Sequence, residues 1–367
     1  MSYVWFDLNR TDLWEFTMVT PQSLDQTYGE LTGVELNSVN ITAGYYTDSR
    51  TSASMRFVDQ GQYVPYSFIR ITHRIPEWSY ENEIGTYIVK SNPSSKRNGA
   101  WVTQLSLGSQ LDKTALRKAV EPWTVSSGAK ALTVLRQMMS QCNFEYREID
   151  PNDYTVGSTF IYETGGTYLS RFYDLCLISN NRLDVDGHGR LTISKYLQPI
   201  SRAAAYRIDL SDPHGIVLDG SVNFETDTLN TPNQCIVAYR FNVEEDGETY
   251  EAELRTNANT TGENSAGKIG YTISDFYEIT DMDDVSYEQI QTIARNRLAS
   301  LQQSLIEWDL TCKYLPIWEG DIVELNVTDG PYGFTGIRHC LVKSVVIHPD
   351  DMTIDLTLKE TSSGDYE

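Results

Sequence analysis

The residues of this 367-residue chain that could do chemistry are few and scattered. The run Asp184-Val185-Asp186-Gly187-His188-Gly189 alternates carboxylates before a glycine, as the opening of a calcium loop does. Such a loop also needs a glutamate several residues on, between two helices. Here the chain continues into "RLTISKYL", which reads as a strand, so a hairpin turn of Asp and Gly is expected and no metal. The five histidines, His73, His188, His214, His339 and His348, show no ligand spacing. His73 falls in register with Ile69 and Ile71, which predicts a partly buried strand residue; His339 and His348 flank a strand and are expected to face solvent. The five cysteines, Cys142, Cys176, Cys235, Cys312 and Cys340, are far apart and form no C-x-x-C pair, which argues against a zinc site and against a disulfide-dense scaffold. Cys176 on an apolar helix face and Cys312 on an apolar strand face predict buried, reduced thiols. There is no G-x-S-x-G elbow, P-loop or G-x-G-x-x-G after a strand. Among 51 acidic residues, a carboxylate pair of the kind that hydrolyses glycosides carries no information. The expectation is a protein that is not an enzyme and holds no cofactor.

Composition is that of a folded soluble protein, with 40% apolar and 22% charged residues, and the length allows about two to three domains. The 23 Tyr, with many Thr, Ser and Asn, favour strands and turns over helix bundles. A formal net charge of −22 repels nucleic acid and argues against a DNA reader. The start "MSYVWFDLNR" lacks a basic region followed by an apolar core, so no signal peptide is expected, and no apolar run is long enough to span a bilayer. Folding in a reducing cytoplasm follows, and the sequons at Asn40, Asn259 and Asn326 then carry little meaning.

From Tyr3 to about Leu107 the chain reads as successive strands. Ala53, Met55 and Phe57 alternate with Ser54 and Arg56; Ile69, Ile71, His73 and Ile75 alternate with Arg70, Thr72 and Arg74. A period of two marks strands with one face in the core and one in water. "TYIVKSNPSSKRNGAWVTQLSL" reads as a hairpin with its tip at Asn92 to Gly99. Between about Asp112 and Leu210, Leu132, Leu135, Met138, Met139 and Cys142 recur at helical spacing, as do Leu169, Phe172, Tyr173, Cys176 and Leu177. Each helix precedes strand-like segments, "FEYREI" and "RLDVDGHGRLTIS". From about Gly215 strands return, with a hairpin closing at Asp246-Gly247 and an irregular loop over Arg255 to Gly270. One helix near 286–305 interrupts them, with Ser286 and Gln289 as a capping box and Ile290, Ile293, Ala294, Leu298, Leu301 and Leu305 as its stripe. Ile306, Trp308, Leu310, Cys312 and Tyr314 then alternate along a strand, as do Met352, Ile354, Leu356 and Leu358. The expected fold is α+β and predominantly β: two small antiparallel β-barrel domains, 1–111 and 215–367, flanking an α+β middle, 112–214.

Between the last strands lies "YLPIWEGDIVEL". Pro316 cannot donate to a ladder and is expected to end its strand. Ile317 and Trp318 are expected to cover the barrel end, Gly320 to permit the turn, and Asp321 to bond local backbone amides. Its neighbours are apolar strand residues rather than convergent polar groups, so Pro316, Trp318, Gly320 and Asp321 are read as a structural corner, not a ligand site.

The order of these elements resembles the central hub proteins of tailed-phage baseplates and tail tips, a family related to the hub part of contractile secretion spikes. The resemblance rests on the helix "SYEQIQTIARNRLASLQQS", the strand "IEWDLTCKYL", the Pro and Gly-Asp corner, and the closing "CLVKSVVIH" and "MTIDLTLKE". It rests also on "LTGVELNSVNITAGYYTDSRTSASMRFVD" and "EIGTYIVKS…AWVTQLSLGSQL" at the start, on "TYLSRFYDLCLISNNRLDVDGHGRLTI" in the middle, and on "LNTPNQCIVAYR". It implies a structural virion protein made in the bacterial cytoplasm and placed at the tail tip or baseplate. It implies further a homotrimer whose barrels form a pseudo-sixfold ring, contacting the distal tail or tube protein, the tape measure and tip or fibre proteins, with no membrane insertion. DNA would pass through the ring unbound, past an acidic lumen. The chain ends soon after the last strand, at "KETSSGDYE", so wall-degrading activity is expected in another protein. Two other readings stand beside it. One is a carbohydrate-binding host-recognition tail protein, which the 23 Tyr and 7 Trp would suit, although Trp101, Trp308 and Trp318 sit in patterns that fill cores. The other is a tail-associated cell-wall hydrolase.

Overall fold

The structure, a computed structural model, describes residues 10–361 apart from 46, 48, 62–63, 65–66, 158, 163, 212–215, 219, 227–230, 246–247, 255–264, 280–289, 292, 296 and 299–305. The first block holds β1 (Leu13–Thr20), β2 (Ser23–Glu30), β3 (Val34–Gly44), β4 (Thr51–Val58), β5 (Phe68–Ile75), β6 (Tyr80–Ser91), β7 (Ser94–Arg97) and β8 (Ala100–Gly108). The middle holds α1 (Gln110–Leu116), β9 (Trp123–Val125), α2 (Ala131–Gln141), β10 (Tyr146–Ile149), β11 (Phe160–Tyr162), α3 (Tyr168–Ile178), β12 (Asn181–Val185) and β13 (Leu191–Lys195). There follow β14 (Tyr206–Asp209), β15 (Asn223–Thr226), β16 (Gln234–Glu245), β17 (Glu248–Leu254), α4 (Ala266–Ile269) and β18 (Ser274–Ile279). The chain closes with β19 (Ile306–Lys313), β20 (Ile322–Val327), β21 (Gly336–His348) and β22 (Thr353–Glu360). The class is α+β and predominantly β.

The two separate barrels expected from the alternating strands are not what the ladders make. Strands of the first and last blocks join in one open 14-stranded sheet, in the order β15-β19-β22-β21-β3-β4-β8-β6-β5-β1-β2, with β7, β14 and β20 attached at its side. The reason lies in the 13-residue strand β21. Its first half pairs with β20, from Val327↔Gly336 to Ile322↔Leu341. A register shift against β22 between Val342 and Ser344 marks a bulge at Lys343, and a bulge bends a strand away from its partner. Beyond it, Ser344 to Ile347 pair with Gly44 to Ile41 of β3. The carbonyl of Lys343 accepts from the Tyr45 amide at 2.9 Å, and its ammonium lies 2.7 Å from Glu307 of β19. The strand thus ends one ladder and starts the next.

Alternation places the core as expected on β4, where Thr51, Ala53, Met55 and Phe57 are buried. One apolar core contains Ile41, Met55 and Leu105 of the first block with Trp308, Val345 and Leu356 of the last. A second core joins Leu135 and Met138 of α2, Phe172 and Cys176 of α3, and Ile193 of β13 to Val237 of β16 and to Ile290, Ile293, Ala294 and Leu298. These last four belong to the expected helical stripe; its capping pair and Leu301 and Leu305 lie outside the described residues, as do the Asp246-Gly247 turn and His214. Two expectations about exposure fail. Trp101 is 51% exposed rather than in a core, because β8 carries it outward opposite Lys96 of β7. On β5, Arg70 and Thr72 are buried as well as Ile69 and Ile71, because another element covers the face assigned to water.

The seam of β3 and β21 yields a stability prediction. Ile41 and Ile347 face each other across it, 0% and 1% exposed. Truncating either to Ala should cost about 2–5 kcal/mol, the usual toll of a buried Ile, read as a lower midpoint in urea. A loss under about 1 kcal/mol would show that the seam carries little packing.

Candidate functional site at the Gly320–Asp321 corner

The element covering β5 is the Asp184–Gly189 run, which is the hairpin turn joining β12 to β13 (Val185↔Leu191). Its Asp186 is occupied internally: Oδ1 accepts the Arg190 amide at 2.8 Å and Oδ2 accepts Arg190 Nε at 3.0 Å. The turn sits on the first block. The Gly187 carbonyl accepts from Thr86 Oγ1 at 3.1 Å, and a Cβ on Gly187 would collide with the Glu83 backbone carbonyl. Arg70, held by Thr86 Oγ1 at 3.0 Å and by the Leu24 carbonyl at 2.7 Å, also meets Glu83 at 3.1 Å. His188 reaches Glu83 and Asp25, each at 2.9 Å. Among the described residues no group of three or more His, Cys, Asp or Glu is placed to hold a metal.

The corner itself is built from reciprocal bonds. Asp321 Oδ2 accepts the Trp318 amide at 2.8 Å while the Asp321 amide donates to the Trp318 carbonyl at 3.1 Å. Tyr206 Oη donates to the Pro316 carbonyl at 2.7 Å, and Ile317 is 1% exposed. Gly320 has φ +83°, a conformation that glycine adopts without steric cost, and its amide donates to the Val342 carbonyl at 2.9 Å. A Cβ there would lie 3.0 Å from Arg182 Nη1 and from the Tyr45 ring.

Those two neighbours open a charged cluster that sequence reasoning missed. Arg182 and Asp184 share a face of β12 and form an ion pair. Arg182 also approaches Glu319 at 3.4 Å, and its guanidinium lies 3.9 Å from the centre of the Tyr45 ring, within range of a cation–π attraction. Arg50, just before β4, lies 3.4 Å from Asp184 without meeting hydrogen-bond geometry. The cluster therefore joins the first block (Tyr45, Arg50), the middle (Arg182, Asp184) and the corner (Glu319). The only sequence signal was an acid, Glu319, between the apolar Trp318 and Gly320.

Burial decides the protonation here. Glu319 is pushed up to about 8, first by burial and then by Asp184, against the pull of Arg182 and Arg50. The long Arg182–Glu319 contact fits that order, since Arg182 gives its short pairing to Asp184. For Arg182, burial works against the charge, but Asp184, Tyr45 and Glu319 hold it firmly protonated. A second buried polar group flanks the corner on the Tyr314 side. His73 is wholly buried, 2.8 Å from Asp12, stacked on Trp14 at 4.7 Å and edge-on to Tyr314 at 4.8 Å. Burial lowers its pKa, with Asp12 opposing. A carboxylate only accepts, so the Nε2–H donates to Asp12. His339 and His348 are half-buried rather than facing solvent, because His339 bonds Thr361 and the Arg202 carbonyl and His348 bonds Asp355.

The five cysteines are all buried and unpaired. Burial raises each thiol, to about 12 for Cys176, Cys235 and Cys312, which leaves almost no thiolate at neutral pH. No helix among the described residues is long and apolar enough to cross a membrane.

Two predictions follow from this joint. Gly187→Ala should destabilise by about 1–3 kcal/mol through the clash with β6, against no change if the turn floats free; the urea midpoint reads it. Glu319 binds its proton more tightly folded than unfolded, so its contribution is complete below its ordinary value of 4.5 and is lost as pH rises toward about 8. The melting temperature should fall over that window, and Glu319→Gln should flatten the fall. Parallel curves for the two proteins would remove Glu319 as the cause.

No protein-family model matches the sequence, and no curated protein matches it. Solved structures do. The tail protein from Neisseria meningitidis MC58 matches with a TM-score of 0.62 at 12% identity, over 95% of this chain and 96% of that one. The 43 kDa tail protein of prophage MuSo2 from Shewanella oneidensis matches with 0.62 at 11% identity, over 95% and 98%. The prophage tail protein gp18 from Listeria monocytogenes EGD-e matches with 0.56 at 13% identity, over 95% and 95%. Nearly end to end, then, the chain has the fold of phage tail proteins, the group its sequence resembles.

Proposed function

We propose that this chain is a structural virion protein of a phage tail, the central hub of its tip or baseplate. The observation that carries the reading is the end-to-end likeness: 95% of the chain aligns with 95–98% of three tail proteins, two of them from prophages, so the fold is shared whole rather than as one module. On this reading the segments 1–111, 112–214 and 215–367 are its domains, and Pro316, Trp318, Gly320 and Asp321 form the structural corner that fixes the last of them. Three copies form a ring that joins the tail tube to the tip, in contact with the tube or distal tail protein, the tape measure and tip or fibre proteins. DNA passes through without being bound, and the formal charge of −22 supports that part of the reading, because an acidic wall repels phosphates. The role is not catalytic, which five buried thiols, each raised by burial, and the pairing of Asp184 and Glu319 with Arg182 support.

Electron microscopy of the intact virion tests this directly. The expected result is three copies around the tail axis at the tube's distal end; a peripheral position, or a copy number that is not a multiple of three, overturns it. Purified chain should also show no lysis of cell-wall preparations.

A further inference from the structure

An open groove of about 630 Å³ runs over the middle segment, lined by Trp123, Arg136, Gln137, Ser140, Gln141 and Tyr146. We infer that it binds a neutral oligosaccharide. This does not depend on the hub reading.

The groove is made by three elements. β9 contributes Trp123, which is half-buried, its backbone paired with Tyr162 and its side chain packed on the second core. α2 contributes Gln137, Ser140 and Gln141, at i, i+3 and i+4, the spacing that sets side chains side by side on one helix face. All three are exposed, while Leu135, Met138 and Met139 of the same helix are buried. β10 contributes Tyr146, 36% exposed. The lining thus combines two aromatic residues with two amides and a hydroxyl on one helix face. Groups of that kind donate and accept in equal measure, as sugar hydroxyls do, while a ring face offers dispersion contact to the C–H face of a pyranose.

Charge narrows the ligand class. Among the described lining residues one is charged, Arg136, and it is taken up by Glu148, two residues along β10 from Tyr146. Nε–Oε1 is 2.6 Å and Nη2–Oε2 is 2.7 Å, a forked pair. That pair holds Glu148 below the usual carboxylate range. It also leaves the groove without a free cation for a phosphate or a uronic acid, in a protein whose overall charge already repels anions. An uncharged, hydroxyl-rich ligand fits such a shallow, open surface.

The test uses the full chain on an array of neutral oligosaccharides containing glucose, galactose, rhamnose or N-acetylhexosamines, with titration calorimetry of the strongest binder. Tyr146→Ala and the double variant Gln137→Ala/Gln141→Ala should each weaken binding about tenfold or more, with the circular dichroism spectrum and urea midpoint unchanged. Both sets of side chains are exposed, so these variants keep the fold while Trp123→Ala risks the core beneath. The inference is overturned if no neutral oligosaccharide binds up to millimolar concentration, if binding survives both variants, or if only acidic glycans bind.

Discussion

The pairing of β21 with β3 is the constraint on which the rest of the structure depends. It joins residues about three hundred positions apart, Ile41 and Ile347, and converts two sets of alternating strands into one ladder with one core between them. The bulge at Lys343 makes this possible by releasing β21 from β20 and turning its second half toward β3. Contacts of such sequence separation cost more chain entropy to close than the local hairpins do, and a fold rich in them is a slow-folding topology.

With the sheet joined, two contacts besides the second apolar core position the middle segment. One is steric: the Gly187 turn lies so close to β6 that no side chain fits between. The other is electrostatic: Arg182 and Asp184 lie against Tyr45, Arg50 and Glu319, drawn from both β blocks. Buried charges add little net stability against an apolar alternative, because desolvation offsets most of the attraction. What they do well is penalise misalignment: Asp184 would travel with Arg182 on a slipped β12, but the pair would lose Glu319 and the Tyr45 ring and be left charged in a dry site without them. The apolar cores supply the free energy, and the ion cluster fixes the register in which they meet.

Much of this was legible in the sequence, and the limits have physical causes. Periodicity exposed β4, α2 and α3, because their buried faces are decided by nearest neighbours along one element. The same rule failed on β5, where Arg70 looks like a solvent residue and is covered by a turn over a hundred positions away. It failed on closure too: two runs of strands predict two barrels unless the bulge at Lys343 is seen, and a bulge has no alternation signal of its own. The corner residues could be picked out because Pro and Gly constrain the backbone locally. Their partners Arg182, Tyr45 and Arg50 could not, since a charge pair between distant segments leaves no pattern in either. The groove on α2 was legible only as the exposed side of an amphipathic helix.

The open sheet bears on assembly as well. Among the described residues the main path of the ladder ends at β2 and β15, and each end is a template for another strand. Both ends are guarded. β2 is exposed from Asp25 onward and carries Asp25 and Glu30, and Asp25 is tied to His188 of the middle segment. β15 is four residues long and includes Glu225. Short length and like charge at both edges work against joining copies end to end through backbone hydrogen bonds. If three copies form the ring proposed here, β2 and β15 are poor places for their contacts.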